Sequence, residues 1–293
     1  MGAVSSWQMH GVAAFTRLVY RRRFTAEAAG RRALDRPKGP SAPPRALTGR
    51  FDVTVSATQG FPVYRISHRA GDDRPVLVYL HGGAYTSEIV RQHWSLVGYL
   101  ADRTGCDVHV PIYGLAPAHQ GLAAREFVTR VVAGLGRPCY LAGDSAGGGL
   151  ALLAAQACPG QVAGVTMLAP WLDLSMCNPA IAALEPYDPW LARPGLRPIA
   201  DAWAGGLDLK DPRLSPIYGE LSGLPPLQIL VGTRDITLAD CRALRDALPA
   251  TVPLTYHEQP GALHVYPLLP VPEARAGREA IVAHLTASLR GAP

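Results

Sequence analysis

From residue 76 onward, short continuous apolar runs recur at Val76 to Leu80, Val108 to Ile112, Tyr140 to Ala142, Val165 to Leu168 and Leu227 to Val231. Such runs are what strands covered on both faces require. Between most of them lie stretches of helical spacing, His93 to Arg103, Leu122 to Leu135, Gly147 to Ala157 and Leu238 to Leu248. Leu254 to Glu258 supplies a last strand and Ala274 to Leu289 a closing helix. Upstream, the alternating runs Phe51 to Ser56 and Val63 to His68 read as antiparallel strands around a turn at Gln59-Gly60, with another turn expected at Gly71-Asp72-Asp73. The pattern predicts an α/β fold: a mostly parallel eight-stranded sheet with helices on both faces.

Two segments stand apart from this alternation. Residues 1–50 carry ten Lys or Arg against two acids, a charge of +8, whereas the rest of the chain totals −3. Arg17, Arg21, Arg22, Arg23, Arg31 and Arg32 are interleaved with Val12, Phe15, Leu18 and Val19 at helical spacing. The preferred reading is a helix whose apolar stripe packs on the body while its arginines face water. Weak contact with an anionic membrane surface is the alternative. No nucleic-acid reader motif accompanies the charge, so no nucleic-acid partner is expected. Pro37, Gly39, Pro40, Pro43 and Pro44 end the helical arm in an extended connector. The chain thus divides into a basic arm or cap, 1–50, and a body, 51–293, that carries the strand and helix alternation. The second segment, between Leu168 and Leu227, is rich in proline and holds Trp171, Trp190 and Trp203. So long a connection at the carboxyl edge of a sheet reads as a lid or substrate wall, an insert over residues 171–224.

At 293 residues and 48% hydrophobic composition the chain can bury one large core. No apolar run approaches the ~18 residues of a membrane-spanning helix. Met1 to Tyr20 lacks the pattern of a secretory signal. Five cysteines, Cys106, Cys139, Cys158, Cys177 and Cys241, lie far apart with no C-x-x-C pair. They predict buried thiols and a cytoplasmic protein, not disulfides or zinc.

The chemistry concentrates at a glycine-rich corner. Gly143-Asp144-Ser145-Ala146-Gly147 fits the G-x-S-x-G turn that lifts a nucleophile between strand and helix. A serine hydroxyl needs an imidazole to take its proton and an acid to orient that imidazole. His264, in the loop after the last strand, and Asp235, just past the strand Leu227 to Val231, fill these roles in the order Ser, Asp, His. His257 lies inside a strand and is the weaker base; Asp240 is the substitute acid. Gly82 and Gly83 after strand Val76 to Leu80, and Ala146 after the nucleophile, are the expected oxyanion donors. His81 reads as a loop-ordering residue, since no H-E-x-x-H or other metal-binding cluster is present.

Across residues 51 to 290 the chain resembles the hormone-sensitive-lipase-like esterases of the α/β-hydrolase fold. The resemblance rests on His81-Gly82-Gly83-Ala84, Tyr113-Gly114-Leu115-Ala116-Pro117-Ala118-His119, Gly143-Asp144-Ser145-Ala146-Gly147-Gly148, Asp211-Pro212-Arg213-Leu214-Ser215-Pro216, Gly232-Thr233-Arg234-Asp235 and Gly261-Ala262-Leu263-His264, in that order. It implies an ester hydrolase without metal or organic cofactor. Ser145, Asp235 and His264 would form the triad, Gly82, Gly83 and Ala146 would surround the oxyanion, and residues 1–50 would be the variable cap. Ala84 departs from the usual fourth-position glycine, Gly114 from a frequent arginine and Ala118 from a frequent glutamate; none removes a catalytic atom. The expected substrate is a small-molecule ester with a short or medium acyl chain, because cap and insert suggest an enclosed pocket. The same machinery would serve a lactone or a formamide. A non-catalytic binding scaffold is disfavoured by the presence of His264. A homodimer is compatible with the sequence.

Overall fold

The computed structural model describes residues 5–68 and 74–291, and the turn expected at Gly71-Asp72-Asp73 lies outside them. The strands are β1 Asp52–Thr58, β2 Phe61–Ser67, β3 Val76–Leu80, β4 Asp107–Pro111, β5 Cys139–Asp144, β6 Val162–Leu168, β7 Leu227–Arg234 and β8 Leu254–Leu263. They form a sheet of order β1-β2-β4-β3-β5-β6-β7-β8. β2 runs antiparallel to both its neighbours, and every pairing from β4 to β8 is parallel. The hairpin turns at Gln59 and Gly60, both at positive φ.

The helices are α1 Trp7–Val19, α2 Glu27–Asp35, α3 Arg45–Thr48, α4 Arg91–Thr104, α5 Gly121–Gly134, α6 Ala146–Ala157, α7 Ile181–Leu184, α8 Arg193–Ala204, α9 Leu238–Ala247 and α10 Glu273–Arg290. Every residue of β3 and β5 is buried, which is why these strands carry no polar alternation. β5 meets helices on both faces: Tyr140 reaches His284 of α10, while Gly143, on the opposite face, lies against α6 at Gly147.

β8 continues past the expected Glu258 to Leu263. Gln259, Pro260 and Gly261 look like a turn, yet β8 is an edge strand, where a proline without an N–H costs no ladder bond. A register shift between Gly232 and Arg234 keeps β7 and β8 paired to Arg234 and Leu263, beside Asp235 and His264.

The arm also differs from expectation. A 3₁₀ turn, Arg21–Arg23, divides it into α1 and α2. The buried face of α1 is Met9, Ala13 and Thr16, whereas Phe15, Leu18 and Val19 are exposed. Met9 fills the core side of this face, and the Thr16 hydroxyl is satisfied by the Val12 and Ala13 carbonyls. The start of the arm is pinned where the Ser6 N–H and hydroxyl donate to Glu273 at the head of α10. Its arginines do not all face water either, since Arg17 and Arg21 donate to carbonyls of the insert. α2 packs across α8 of the insert.

Candidate active site

Ser145 sits between β5 and α6 with φ 52° and ψ −119°, a strained backbone for a residue with a β-carbon. Two glycines make the bend possible. A Cβ on Gly143 would stand 2.3 Å from the Gly147 carbonyl, and one on Gly147 would stand 2.1 Å from the Leu80 carbonyl. The Ser145 N–H donates to Leu168 O at 2.8 Å, and Ser145 O accepts from Trp171 N–H at 2.9 Å, tying the corner to the end of β6.

β7 and β8 deliver the other two groups to the same edge. His264 Nε2 lies 2.9 Å from Ser145 Oγ, and His264 Nδ1 lies 2.8 Å from Asp235 Oδ2. Asp235 Oδ1 accepts from Thr237 N–H at 2.9 Å, which orients the carboxylate. With Nδ1–H donated to Asp235, Nε2 is free to accept the serine proton. Burial works against a charged His264, but the Asp235 carboxylate, with Asp188 and Asp144 beyond it, outweighs burial and raises the imidazole above its ordinary value. Asp240, the substitute acid, is bonded to Asn178 instead. Burial pushes its carboxyl up to about 7. His257 has its Nε2 buried without a partner and does not join the cluster.

The oxyanion loop corrects one expectation. The Gly82 N–H donates to Asp144 Oδ1 at 2.9 Å and is not free for a substrate. Among the described residues no acceptor sits on the N–H groups of Gly83, Ala84 and Ala146. Ala84 adopts φ 51° and lines the same cavity as Ser145. The sequence missed the role of Asp144. Its carboxylate also accepts from Tyr79 Oη at 2.7 Å and faces His93 Nε2 at 3.2 Å. His93 Nδ1 accepts from Val90 N–H, so the ring proton belongs on Nε2 and is donated to Asp144. Burial raises the Asp144 carboxyl, yet His93, Tyr79 and Gly82 together hold it below its usual value. A carboxylate beside the nucleophile, in a strand otherwise wholly apolar or glycine, was the signal available.

His81 is neutral and structural. Burial and the nearby His93 lower it to about 4, its Nδ1 lies 2.7 Å from Gly82 O, and its ring stacks on Tyr113 at 4.6 Å. Tyr85 continues the loop: its hydroxyl donates to Ala146 O at 3.0 Å, and its ring stacks on Trp203 of α8 at 4.0 Å. A cavity of about 20 Å³ opens at Ser145, walled by Trp171, Met176, Ile181, Leu191 and Leu196 of the insert. Among the described residues no group of three His, Cys, Asp or Glu side chains could hold a metal ion.

A sequence profile of the alpha/beta hydrolase fold matches residues 77–268. An acetyl-hydrolase of Streptomyces hygroscopicus is 35% identical over 227 residues, spanning 72% of this chain and 74% of that protein. A triacylglycerol lipase of Mycobacterium tuberculosis is 32% identical over 244 residues, spanning 78% of this chain and 51% of the lipase. Among solved structures, an esterase from the bacterial hormone-sensitive lipase family superposes with a TM-score of 0.79 at 26% identity, covering 98% of this chain and 99% of that one. With a parallel sheet presenting Ser145, Asp235 and His264 at one edge, the chain belongs to the alpha/beta hydrolase fold family and is a hormone-sensitive-lipase-like esterase.

Proposed function

We propose that this esterase cleaves small carboxylic esters through an acyl-enzyme on Ser145. His264 Nε2 takes the hydroxyl proton as Oγ attacks the acyl carbonyl, and Asp235 stabilises the imidazolium that results. The developing oxyanion is met by the N–H groups of Gly83, Ala84 and Ala146. Collapse returns the proton from His264 to the departing alcohol. A water then repeats the sequence on the acyl-enzyme and releases the acid. The observation that carries this reading is the unbroken run from Ser145 Oγ to His264, 2.9 Å, and from His264 to Asp235, 2.8 Å. Ser145→Ala is expected to abolish both ester turnover and labelling by a fluorophosphonate; near wild-type turnover in that variant would overturn the assignment.

The acyl chain is short. The pocket at Ser145 is narrow and walled by Trp171, Met176, Ile181, Leu191 and Leu196 of the insert, which favours a small acyl group. The arm, residues 1–50, and the insert, residues 171–224, act together as the cap over the catalytic body. The exposed Trp7, Phe15, Leu18 and Val19 of α1, beside a basic arm, favour weak contact of this face with an anionic membrane surface. Co-sedimentation with phosphatidylserine vesicles is expected to fall in a Phe15→Ser/Leu18→Ser variant. A change in oligomeric state instead would mean that the face serves a homodimer. Four buried cysteines and the lack of any disulfide among the described residues suit a cytoplasmic setting.

A further inference from the structure

The turn Asp188-Pro189-Trp190-Leu191 in the insert touches His264 and the residue next to Asp235, and the N-terminal arm holds that turn from behind. Asp188 is fully buried. Its Oδ2 accepts at 3.0 Å from the N–H of Ile236, the residue next to Asp235. Its Oδ1 accepts from the N–H groups of Trp190 at 2.7 Å and Leu191 at 2.9 Å. That closes a turn that sets the Trp190 ring edge-on to His264, with centroids 5.8 Å apart and planes at 81°.

On the far side, the Arg21 guanidinium donates to three carbonyls of this segment: Asp188 O, and Glu185 O and Leu191 O at 3.1 Å each. Arg17 donates to Pro186 O at 3.0 Å, and the Tyr20 ring packs on Trp190 with centroids 5.4 Å apart. The approach of arm to insert is built for closeness. The Gly195 N–H donates to Phe24 O at 2.7 Å, and a Cβ on Gly30 would stand 2.0 Å from Gly195 O.

This is an expensive arrangement for packing alone. A second carboxyl beside Asp235 in a buried site raises the electrostatic cost of ionising either. The guanidinium fork fixes the geometry of the carbonyls it meets, in a way a point charge on a flexible stem would not. We propose that Tyr20 and Arg21 are positioning residues for the catalytic acid and base: through the 188–191 turn they hold Asp235 and His264 where Nε2 reaches Ser145 Oγ. Docking of the arm then governs turnover and not substrate affinity. The inference rests on the triad reading given above. Its electrostatics are consistent. Burial, and next the Asp235 charge, push the Asp188 carboxyl up, the N–H groups of Leu191 and Trp190 and the His264 charge pull it back, and the charge Asp188 carries helps raise His264. The charged groups facing His264 are Asp235, Asp188 and Asp144; Arg234 faces Asp188, with Arg17 beside Arg234 and the Arg21 guanidinium at the Asp188 carbonyl.

The test uses the full chain with Tyr20→Ala, Arg21→Met, Arg21→Lys and Asp188→Asn, assayed on p-nitrophenyl acetate, with active sites counted by fluorophosphonate labelling. Tyr20→Ala and Arg21→Met are expected to lower kcat per labelled site about tenfold with KM within about twofold, as misplacement of a reacting pair does. Arg21→Lys keeps the charge but cannot bridge three carbonyls, and falls between; it decides the matter if Arg21→Met does not fold. Asp188→Asn lowers kcat and moves the acid limb of kcat/KM to lower pH, because a charge that favours protonated His264 is gone. A kcat per labelled site within twofold of wild type in the arm variants overturns the proposal, whatever happens to thermal stability. So does a rise in KM at constant kcat, which would make the arm a substrate wall. Failure of wild-type Ser145 to label would instead overturn the triad reading itself.

Discussion

The two ends of the Ser145–His264–Asp235 relay are held in opposite ways. On the nucleophile's side, Asp144, the residue before Ser145, gathers Gly82, Tyr79 and His93 from the body's own strand, loop and helix around β3. On the acid's side, Asp188 comes from the insert and is in turn braced by Arg21 from the arm. The first end is built wholly within the body, from β3, the loop after it and α4. The second depends on two long peripheral segments finding one another. A hydrolase of this form therefore has a nucleophile that is preorganised by the fold, and an acid and base whose alignment can be tuned from outside it.

Removing the brace on the nucleophile's side has the largest expected effect. Asp144→Ala strips a buried carboxylate from three donors, and unfolding free energy is expected to drop by about 3 kcal/mol, measured by urea denaturation. Turnover is expected to fall with it, because Gly82 no longer fixes the loop carrying Gly83 and Ala84. A loss under about 1 kcal/mol would mean that the two ends are equally soft. Next in size is pocket shape. Ile181→Ala removes part of the insert wall at Ser145, and the hexanoate-to-acetate ratio of kcat/KM is expected to rise about tenfold, as one or two methylenes of space allow. An unchanged ratio would place the acyl group elsewhere. The smallest effect is a shift in pH. His264 is raised above its ordinary 6.5. The protonated imidazole cannot accept the Ser145 proton, so kcat/KM is lost as pH falls, with a midpoint above 6.5. A midpoint below that value would show that burial wins over Asp235 and Asp188.

Much of this was legible in the chain. The covered strands β3 to β7 announce themselves because their residues are apolar without alternation, and strand ends in a parallel sheet share one edge. Ser145, Asp235 and His264 each follow such an end, so spacing alone brought them together. Less legible was the extension of β8 through Pro260, since an edge strand tolerates what a central one does not. Gly82 was expected to offer its N–H to the oxyanion, but Asp144 Oδ1 takes that N–H. Gly82 is a glycine because a Cβ there would meet Asp144 Oδ2 at 2.2 Å, not because its N–H faces substrate. The stripe of Phe15, Leu18 and Val19 looked like a core face, and the small residues Ala13 and Thr16 were buried in its place.

The sequence by itself determined the α/β architecture, the strained serine corner and the order of the three reactive side chains. These depend on local pattern: apolar period, glycine placement, and residues just past strand ends. Only the tertiary structure decided which N–H groups remain free, which face of α1 is buried, and that Arg21 braces the turn beside Asp235. Those outcomes are set by hydrogen-bond competition and close packing between segments 48 to 167 residues apart in the chain. No local pattern in the chain carries that information, because a donor's partner is chosen only when all candidates meet in space.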